Sequence, residues 1–559
     1  MKKITSILFF LVLLAVSLSG EERLRERVYI STDRDVYVAG DAVWMSAWCV
    51  DASGKLSGFS KVAYVEVHSS TGMVQTARIA LEGGRGAGRL FLPNTLPTGN
   101  YRLFAYTKQG AAEEGFDPLA GARTLSVFNT FSTERTPEGV TFVSGPVEAP
   151  YVPESGQLRI DVIKDGGATP IVLANNGGKT MNISLSVRHQ DNIPTPAGAH
   201  IGDFVESVHN LPAAGAFDDN VIPEYEGEII KARVTGTNAQ GLNAVKDKFA
   251  FISSPGGENV YSASIDGAGE AMFVTSNIFG EQSMFLEIEG VDKDNICHLE
   301  IQSPFLDLDA GNIPALPLCK DYAPALELRG LGMQLEKNFD ADTLYSYIPS
   351  KTHLVFDEKD CTRYLLDDYT RFPVMEELFV EFIQEIRVRK VDGKKQLQVR
   401  ITDPTGNGYF PNGTVMALLD GVPVLDHEKI LAYDPLLVRS IDIYCHSYFL
   451  GIRGFTGVVN FVTYKGTLPS FSFEDNVRVV DFDGCSIPMA YTCEGVGSSY
   501  PDFRQTLYWN PLITLAPGES VTVYCKRPDY DGSFEVFAEG ICADGSPVST
   551  SSVYELGRP

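Results

Sequence analysis

The sequence contains no G-x-S-x-G elbow, no H-E-x-x-H pair and no C-x-x-C. These absences exclude the common serine-hydrolase, zinc-peptidase and thioredoxin-like readings. Its eight histidines (His68, His189, His200, His209, His298, His353, His427 and His446) are scattered. Only His200 and His209 are near in sequence, and their separation is not a metal-ligand spacing. Basic residues are outnumbered, 46 Lys and Arg against 72 Asp and Glu. Such a field repels phosphate backbones, so nucleic acid is not an expected partner. Nine cysteines (Cys49, Cys297, Cys319, Cys361, Cys445, Cys485, Cys493, Cys525 and Cys542) are sparse and odd in number. They do not make a disulfide scaffold. Cys485 and Cys493 are near enough for a small bridged loop, and free buried thiols are the equal alternative.

Beyond the N-terminus no apolar run is long enough to span a bilayer, which takes roughly 20 residues. The N-terminus itself reads MKKITSILFFLVLLAVSLSG. Lys2 and Lys3 form a positive n-region, Ile7 to Val16 an apolar h-region, and Ser17 and Ser19 supply small residues for cleavage. Residues 1–20 are therefore expected to be a signal peptide. Its loss removes two lysines and moves the net charge from −26 to −28. The first cysteine is Cys49, so a lipid anchor on a mature N-terminal cysteine is not expected.

What is present is β texture. Short alternating runs bounded by Gly, Pro, Asn or Asp recur: AYVEVHS at 63–69, YRLFAYT at 101–107, MNISLSVRH at 181–189, KFAFIS at 248–253, SVTVYC at 520–525 and SFEVFAEG at 533–540. Strands of this length with regular turn signals predict stacked β-sandwiches. The length calls for about four domains. Helical spacing is confined to about 330–390, where Val374, Leu378, Phe382 and Ile383 oppose Glu376, Glu377, Glu381 and Glu385.

Thr32, Asp33, Arg34, Tyr37, Gly40 and Val43 form TDR-x-x-Y-x-x-G-x-x-V, and LPNTLPTGNYRLFAYT follows at 92–107. Together they resemble the second macroglobulin (MG2) domain of the α2-macroglobulin family, over about 100 residues. That family traps proteases with a thioester between a cysteine sulfur and a glutamine carbonyl in GCGEQ. Here the run is Phe279-Gly280-Glu281-Gln282. Phe279 stands where the cysteine would be, so the resemblance implies a module without the thioester, and GEQ reads as a turn. Further on, KFAFISSPGGENVYSASIDGAGEAMFVTSN resembles carboxypeptidase-regulatory or transthyretin-like modules.

A more informative resemblance lies at about 370–470. A strand leads to Leu419-Asp420-Gly421-Val422-Pro423, then a short helix, then Ile441 to Tyr444, then the glycines Gly451, Gly454 and Gly457 before a final apolar strand. This order is similar to the plug domain of TonB-dependent receptors, especially those of Bacteroidetes-type bacteria. There the Asp-Gly pair caps a tight turn and the glycines admit close backbone approach. A receptor barrel of about 22 strands needs several hundred residues, whereas residues 467–559 number 93. The chain is accordingly not expected to be a transporter. YWNP and EVFAEGI near the end resemble a C-terminal module of exported Bacteroidetes proteins.

The fold expected is mainly β: tandem Ig/macroglobulin-like β-sandwiches, then a small α+β plug-like domain and a C-terminal β-sandwich. The boundaries are 21–130 for the macroglobulin-like sandwich, 131–220 for a second sandwich and 221–325 for the carboxypeptidase-regulatory-like one. A helical linker with the plug-like domain takes 326–494, and the C-terminal module takes 495–559.

The remaining chemical candidates have ordinary explanations. Cys445 and His446 are neighbours on an expected strand, which sends their side chains to opposite faces. Asp307, Asp309 and Asn312, Asp481 and Asp483, and Asp529 and Asp531 suggest calcium but complete no loop pattern, and aspartate before glycine is a turn signal. Trp44 and Trp48 share one face of a strand, as a carbohydrate-stacking strip or, more commonly, as packing. No catalytic, cofactor-binding or metal residue is assigned, and no cofactor is expected. The function expected is a non-catalytic binding protein of the cell envelope, exported to the periplasm or the outer membrane. Its expected partner is an envelope or outer-membrane protein, without transmembrane insertion of its own. The alternative is a thioester-less, macroglobulin-type protease-binding protein.

Overall fold

The computed structural model describes residues 24–132, 139–145, 156–163, 168–196, 200–256, 260–276, 278–291, 297–339, 345–348, 361–402, 407–491 and 501–557. The expected signal peptide and Cys493 lie outside them. The chain is mainly β and divides into two compact units. One runs up to Glu224 and adds Asp307–Tyr347 and the residues from Pro488. The other comprises Tyr225–Leu306 and Ile348–Ile487.

The first unit opens with a sandwich. A three-stranded sheet (Glu26–Thr32, Ala42–Asp51, Arg85–Phe91) faces a five-stranded one (Val36–Val38, Arg123–Phe128, Gly99–Tyr106, Val62–Ser69, Gly72–Ala80). Alternation along Ala42–Asp51 decides what each side meets. Val43, Met45, Ala47 and Cys49 enter the sandwich core with Ala63, Val65 and Val67. Trp48 points the other way, toward Tyr29, Phe204, Val208 and Ile541. Tyr101 donates its hydroxyl to the Pro97 carbonyl at 2.7 Å, a bond of the tyrosine-corner kind that fixes a turn into its strand.

The second sandwich of this unit corrects the expected boundaries. Strands Leu158–Val162, Thr169–Asn175 and Met181–Gln190 do not close among themselves. Met181–Gln190 lies between Thr506–Leu515 and Gly532–Cys542, antiparallel to both. Thr169–Asn175 pairs with Ser520–Cys525. The separately expected domains 131–220 and 495–559 thus supply one core, in which Ile183, Leu185 and Val187 meet Leu507, Val536 and Ala538. Three strands cannot cover their own apolar face, and the strands that complete this one lie more than 300 residues away.

Helix Ile201–His209 fills the space between the sandwiches. Asp203 accepts from the His200 amide at 3.1 Å and so secures its first turn. Ile201, Phe204, Val205 and Val208, spaced i, i+3, i+4 and i+7, make the buried stripe. A second helix, Ala323–Asn338, also belongs to this unit. The expected start of a linker and plug-like region at 326 therefore falls inside a helix of the first unit.

The TDR motif lies where the sandwiches join. Asp33, fully buried, accepts from the Trp44 amide (3.1 Å), the Tyr37 hydroxyl (2.8 Å) and the Thr506 hydroxyl (2.6 Å). Its carbonyl accepts from the Ser186 hydroxyl at 2.6 Å. Arg34 pairs with Asp41 at 3.1 Å and lies over the Tyr37 ring. Arg123 pairs with Asp35 at 2.6 Å, and Arg188 with Glu535 at 2.9 Å. The Tyr29 hydroxyl donates to Glu539 at 3.1 Å. Each buried charge thus has a partner, without which its desolvation would be costly. Gly40 has φ 97°, and a Cβ there would lie 2.4 Å from Asn94 Oδ1, which explains glycine in the motif.

The second unit contains a smaller sandwich and an α/β module. The sandwich pairs a sheet ordered Glu270–Val274, Ile229–Thr235, His298–Ile301 with one ordered Val260–Ser264, Phe249–Ser253, Glu281–Ile288, Arg478–Asp483. Its last strand follows the α/β module in sequence, so the 221–325 boundary also needs correction. The module has a mixed sheet ordered Thr362–Leu365, Val438–Tyr444, Val458–Thr463, Met416–Leu419, Val422–Pro423. Asp420 and Gly421 form its two-residue turn with φ of 49° and 85°, the positive pair a type I′ hairpin requires. Asp420 is buried and accepts from the Thr463 amide (2.6 Å), the Thr463 hydroxyl (2.7 Å) and the Leu468 amide (2.8 Å). A Cβ on Gly457 would lie 2.7 Å from Val399, so this glycine does admit a close approach.

The expected helix across 374–385 is shorter. It spans Met375–Glu381, with Met375, Leu378 and Phe379 buried and Val374 exposed. Phe382 leaves helical geometry at φ −146°. The β-branched alternation Ile386–Val391 then makes a hairpin with Lys394–Val399 across Asp392-Gly393, both at positive φ.

Candidate binding groove

The two sheets of the smaller sandwich each end in an edge strand on the same side, and on the first Val260 is buried. Among the described residues, strand Val260–Ser264 has one ladder neighbour, Phe249–Ser253, and strand Glu270–Val274 has one, Ile229–Thr235. Antiparallel pairs alternate between bonded and non-bonded. Glu289 N donates to Phe249 O, which turns the Phe249 backbone toward Glu281–Ile288; Ile265 N donates to Lys248 O. Tyr261 and Ala263 therefore bond inward to Phe249–Ser253. Val260, Ser262 and Ser264 turn their amides and carbonyls outward. By the same alternation, from Thr275 N to Glu228 O and Val234 N to Gly269 O, Glu270, Met272 and Val274 face outward on the second edge.

A groove of about 380 Å³ lies here. All five residues of Val260–Ser264 line it in succession, although the Tyr261 and Ala263 side chains are in the sandwich core. Those two residues are thus presented through their backbone. Met272 and Val274 form one rim. Phe449, Leu450, Gly451 and Ile452, at the tip of the hairpin Tyr448–Leu450 and Arg453–Phe455, form the other.

The hairpin is anchored. Ser262 Oγ donates to Leu450 O at 2.6 Å. Arg453 pairs with Glu289 at 2.6 Å and lies over the Phe249 and Phe455 rings. Gly451 turns the tip at φ 54°, and a Cβ there would lie 3.3 Å from the Ser262 carbonyl. The result is a wall whose end carries Phe449 and Ile452, 73% and 77% exposed. Large apolar side chains exposed beside a concave surface mark an interaction site. None of the lining residues is an Asp, Glu, Lys, Arg or His.

The residues singled out in sequence lie elsewhere. Phe279 bridges in parallel to Cys485, Gly280 turns at φ 72°, and Glu281 and Gln282 begin a strand. Trp44 and Trp48 do share a face, but both are buried, so they form no exposed strip. Cys445 follows the end of its strand at Tyr444 rather than lying within it. Burial, with Glu385 nearby, pushes its thiol pKa up, away from the reactive thiolate. Asp309 accepts from Gly311 N, Asp529 from Asp502 N, and Asp531 pairs with Arg527. Asp481 and Asp483 lie on the strand paired with Glu281–Ile288. Among the described residues no group of three or more acidic, histidine or cysteine side chains is arranged to hold a metal. None of their helices is long and apolar enough to cross a membrane.

The groove was not legible as a site in the sequence. VYSAS and SYFLGIRGF read as an ordinary strand and as a glycine-rich segment, 187 residues apart from Val260 to Ser447 in the chain. The available signal was that VYSAS carries no charge or proline, the usual protection of an edge strand.

Among solved structures, trypsin-activated α2-macroglobulin of Escherichia coli aligns with 95% of this chain at 8% identity and a TM-score of 0.24. The native conformation of the E. coli protein aligns with 97%, again at 8% identity and 0.24. The chain covers 41% and 40% of those two chains, so it spans about two-fifths of their length. The E. coli adhesin FdeC aligns with 48% of this chain, of which the match covers 61% of the adhesin, at 11% identity and a TM-score of 0.14. Likenesses this low carry no argument about activity. No family profile and no curated protein sequence matches the chain.

Proposed function

We propose that this is a non-catalytic binding protein of the cell envelope, exported to the periplasm or the outer-membrane surface. The observation that carries the reading is the uncharged groove beside the exposed Phe449 and Ile452. In this reading the buried ionic junction of the first unit gives a stiff support, and the second unit provides the contact. The signal-peptide pattern at 1–20 supports export. The order of elements around Asp420-Gly421 and Gly457, similar to a TonB-dependent receptor plug, supports a partner in an outer-membrane transport or assembly system. The test is affinity recovery from envelope fractions of the cells that make the protein. An envelope or outer-membrane protein should be retained at stoichiometric yield. Recovery of no such protein would contradict the proposal.

A further inference from the structure

We infer that the hairpin Ile386–Val391 and Lys394–Val399 docks, on its outward face, a short acidic segment of a partner protein, extended and with carboxylates at alternate positions. The inference adds a second contact surface to the groove beside Phe449 and Ile452 and does not depend on it. In a chain with an excess of acid, residues 386–400 carry six Lys and Arg (Arg387, Arg389, Lys390, Lys394, Lys395 and Arg400) against Asp392 alone, a balance of +5. Register sorts them, because directly opposed residues share a face. The pairs Ile386–Val399 and Val388–Leu397 send their side chains into the core of the α/β module. The other face carries Arg387 beside Gln398, Arg389 beside Gln396 and Lys394 beside Val391. Arg400, two residues beyond Gln398, continues it. All four of these cations are exposed.

Two observations select the occupant. The first is that the arginines are held by neutral groups. Arg387 lies over the Phe410 ring at 4.1 Å and donates from Nε to Oε1 of the buried Gln398 at 2.8 Å. Gln398 in turn donates to the Pro411 carbonyl at 3.3 Å. Arg389 donates to Asn412 Oδ1 at 3.1 Å. Elsewhere in this unit Arg363, Arg371 and Arg453 pair with Asp442, Asp367 and Glu289. Among the described residues Arg387, Arg389, Lys394 and Arg400 have no carboxylate partner. The nearby acids are engaged otherwise: Glu376 pairs with Lys395, and Glu385, whose carbonyl accepts from the Arg400 amide, accepts with its carboxylate from the Tyr364 hydroxyl at 2.7 Å. Guanidinium groups positioned in this way suit carboxylates, which they bind through a planar fork. The second observation is spacing. Successive cross-strand pairs on this face contribute one cation each, so the charges recur about every 7 Å over about 20 Å. Carboxylates on every second residue of an extended segment recur at the same interval, and about seven residues span the row. Lipid headgroups hold no such fixed line, and a membrane would set an anionic plane against a chain of net charge −26.

The experiment uses the full chain and a labelled synthetic peptide in which glutamate alternates with threonine over about seven residues, read by fluorescence anisotropy. Saturable binding is expected. At an ionic strength of about 1 M, where charges act within about 3 Å, it should be lost. A peptide of the same composition with its glutamates consecutive turns half of them away from the face and should bind about fivefold more weakly. Arg387→Gln combined with Arg389→Gln should weaken binding about tenfold. Both side chains are exposed, so the double variant should keep the wild-type melting temperature. Arg389→Lys keeps the charge without the planar fork and should cost about twofold. Absence of saturable binding would overturn the inference, as would binding indifferent to the double replacement or to the order of the glutamates. Sedimentation of the full chain with vesicles of phosphatidylglycerol and phosphatidylcholine, abolished by the double replacement and not competed by the peptide, would also overturn it, by making a lipid surface the occupant.

Discussion

Thr506 donates its hydroxyl to Asp33 Oδ2 at 2.6 Å across 473 positions of sequence. The bond ties the N-terminal motif to the sandwich that the C-terminal strands complete. Thr506→Val should cost about 1–3 kcal/mol, because it leaves a buried carboxylate oxygen short of a donor. Asp33→Ala should cost about 3–5 kcal/mol, since it also strips partners from Tyr37, the Trp44 amide and Arg34. Denaturant unfolding measures both. Wild-type stability in Asp33→Ala would show that the junction contributes little.

Trp48 separates a packing role from a sugar-binding one. It is buried among Tyr29, Phe204 and Ile541. Trp48→Ala should destabilise the first unit by about 3–5 kcal/mol. Neither Trp48 nor Trp44 is exposed enough to stack on a saccharide, so glycan-array binding, if any is found, should not depend on either.

Asp420 gives a structural prediction in the α/β module. It holds Thr463 and Leu468 while keeping φ at 49°. Asp420→Ala should lose about 2–4 kcal/mol from the lost charged hydrogen bonds and the left-handed backbone. Amide exchange should rise first at 416–423 and 458–468. Uniform exchange across the second unit would contradict a local role.

Glu336 gives a pH dependence. Burial, against the opposing pull of Arg34, and with Asp41 and Asp502 adding repulsion, raises its carboxyl from 4.5 to about 7. The folded state thus holds a proton that the unfolded chain has released. Its contribution to stability is full below about pH 4.5 and is lost as pH rises through about 7. The melting temperature of the wild type should therefore fall between pH 5 and 8 more than that of Glu336→Gln. Parallel curves for the two proteins would refute the assignment.

Much of the strand content was readable because each strand carries its own alternation. AYVEVHS and MNISLSVRH fall within strands Val62–Ser69 and Met181–Gln190. The Asp420-Gly421 turn was readable because two consecutive positive φ values restrict which residues can stand there. Pairing across long separations was not. Nothing local in Met181–Gln190 says that its neighbours begin at Thr506 and Gly532. The short helix before Phe382 was overread because the glutamates continue its pattern, whereas Ile386 and Val388 already favour a strand. The groove needed the fold itself: an edge becomes visible only when its missing neighbour is known.

The most direct test of the account is site-specific photocrosslinking from position 452 in intact cells that make the protein. A photoreactive residue at Ile452 should give a discrete adduct with an envelope protein. A matched probe at the equally solvent-facing Val380, 81% exposed, should give none. Identical adducts from both positions, or none from 452, would contradict binding through this groove.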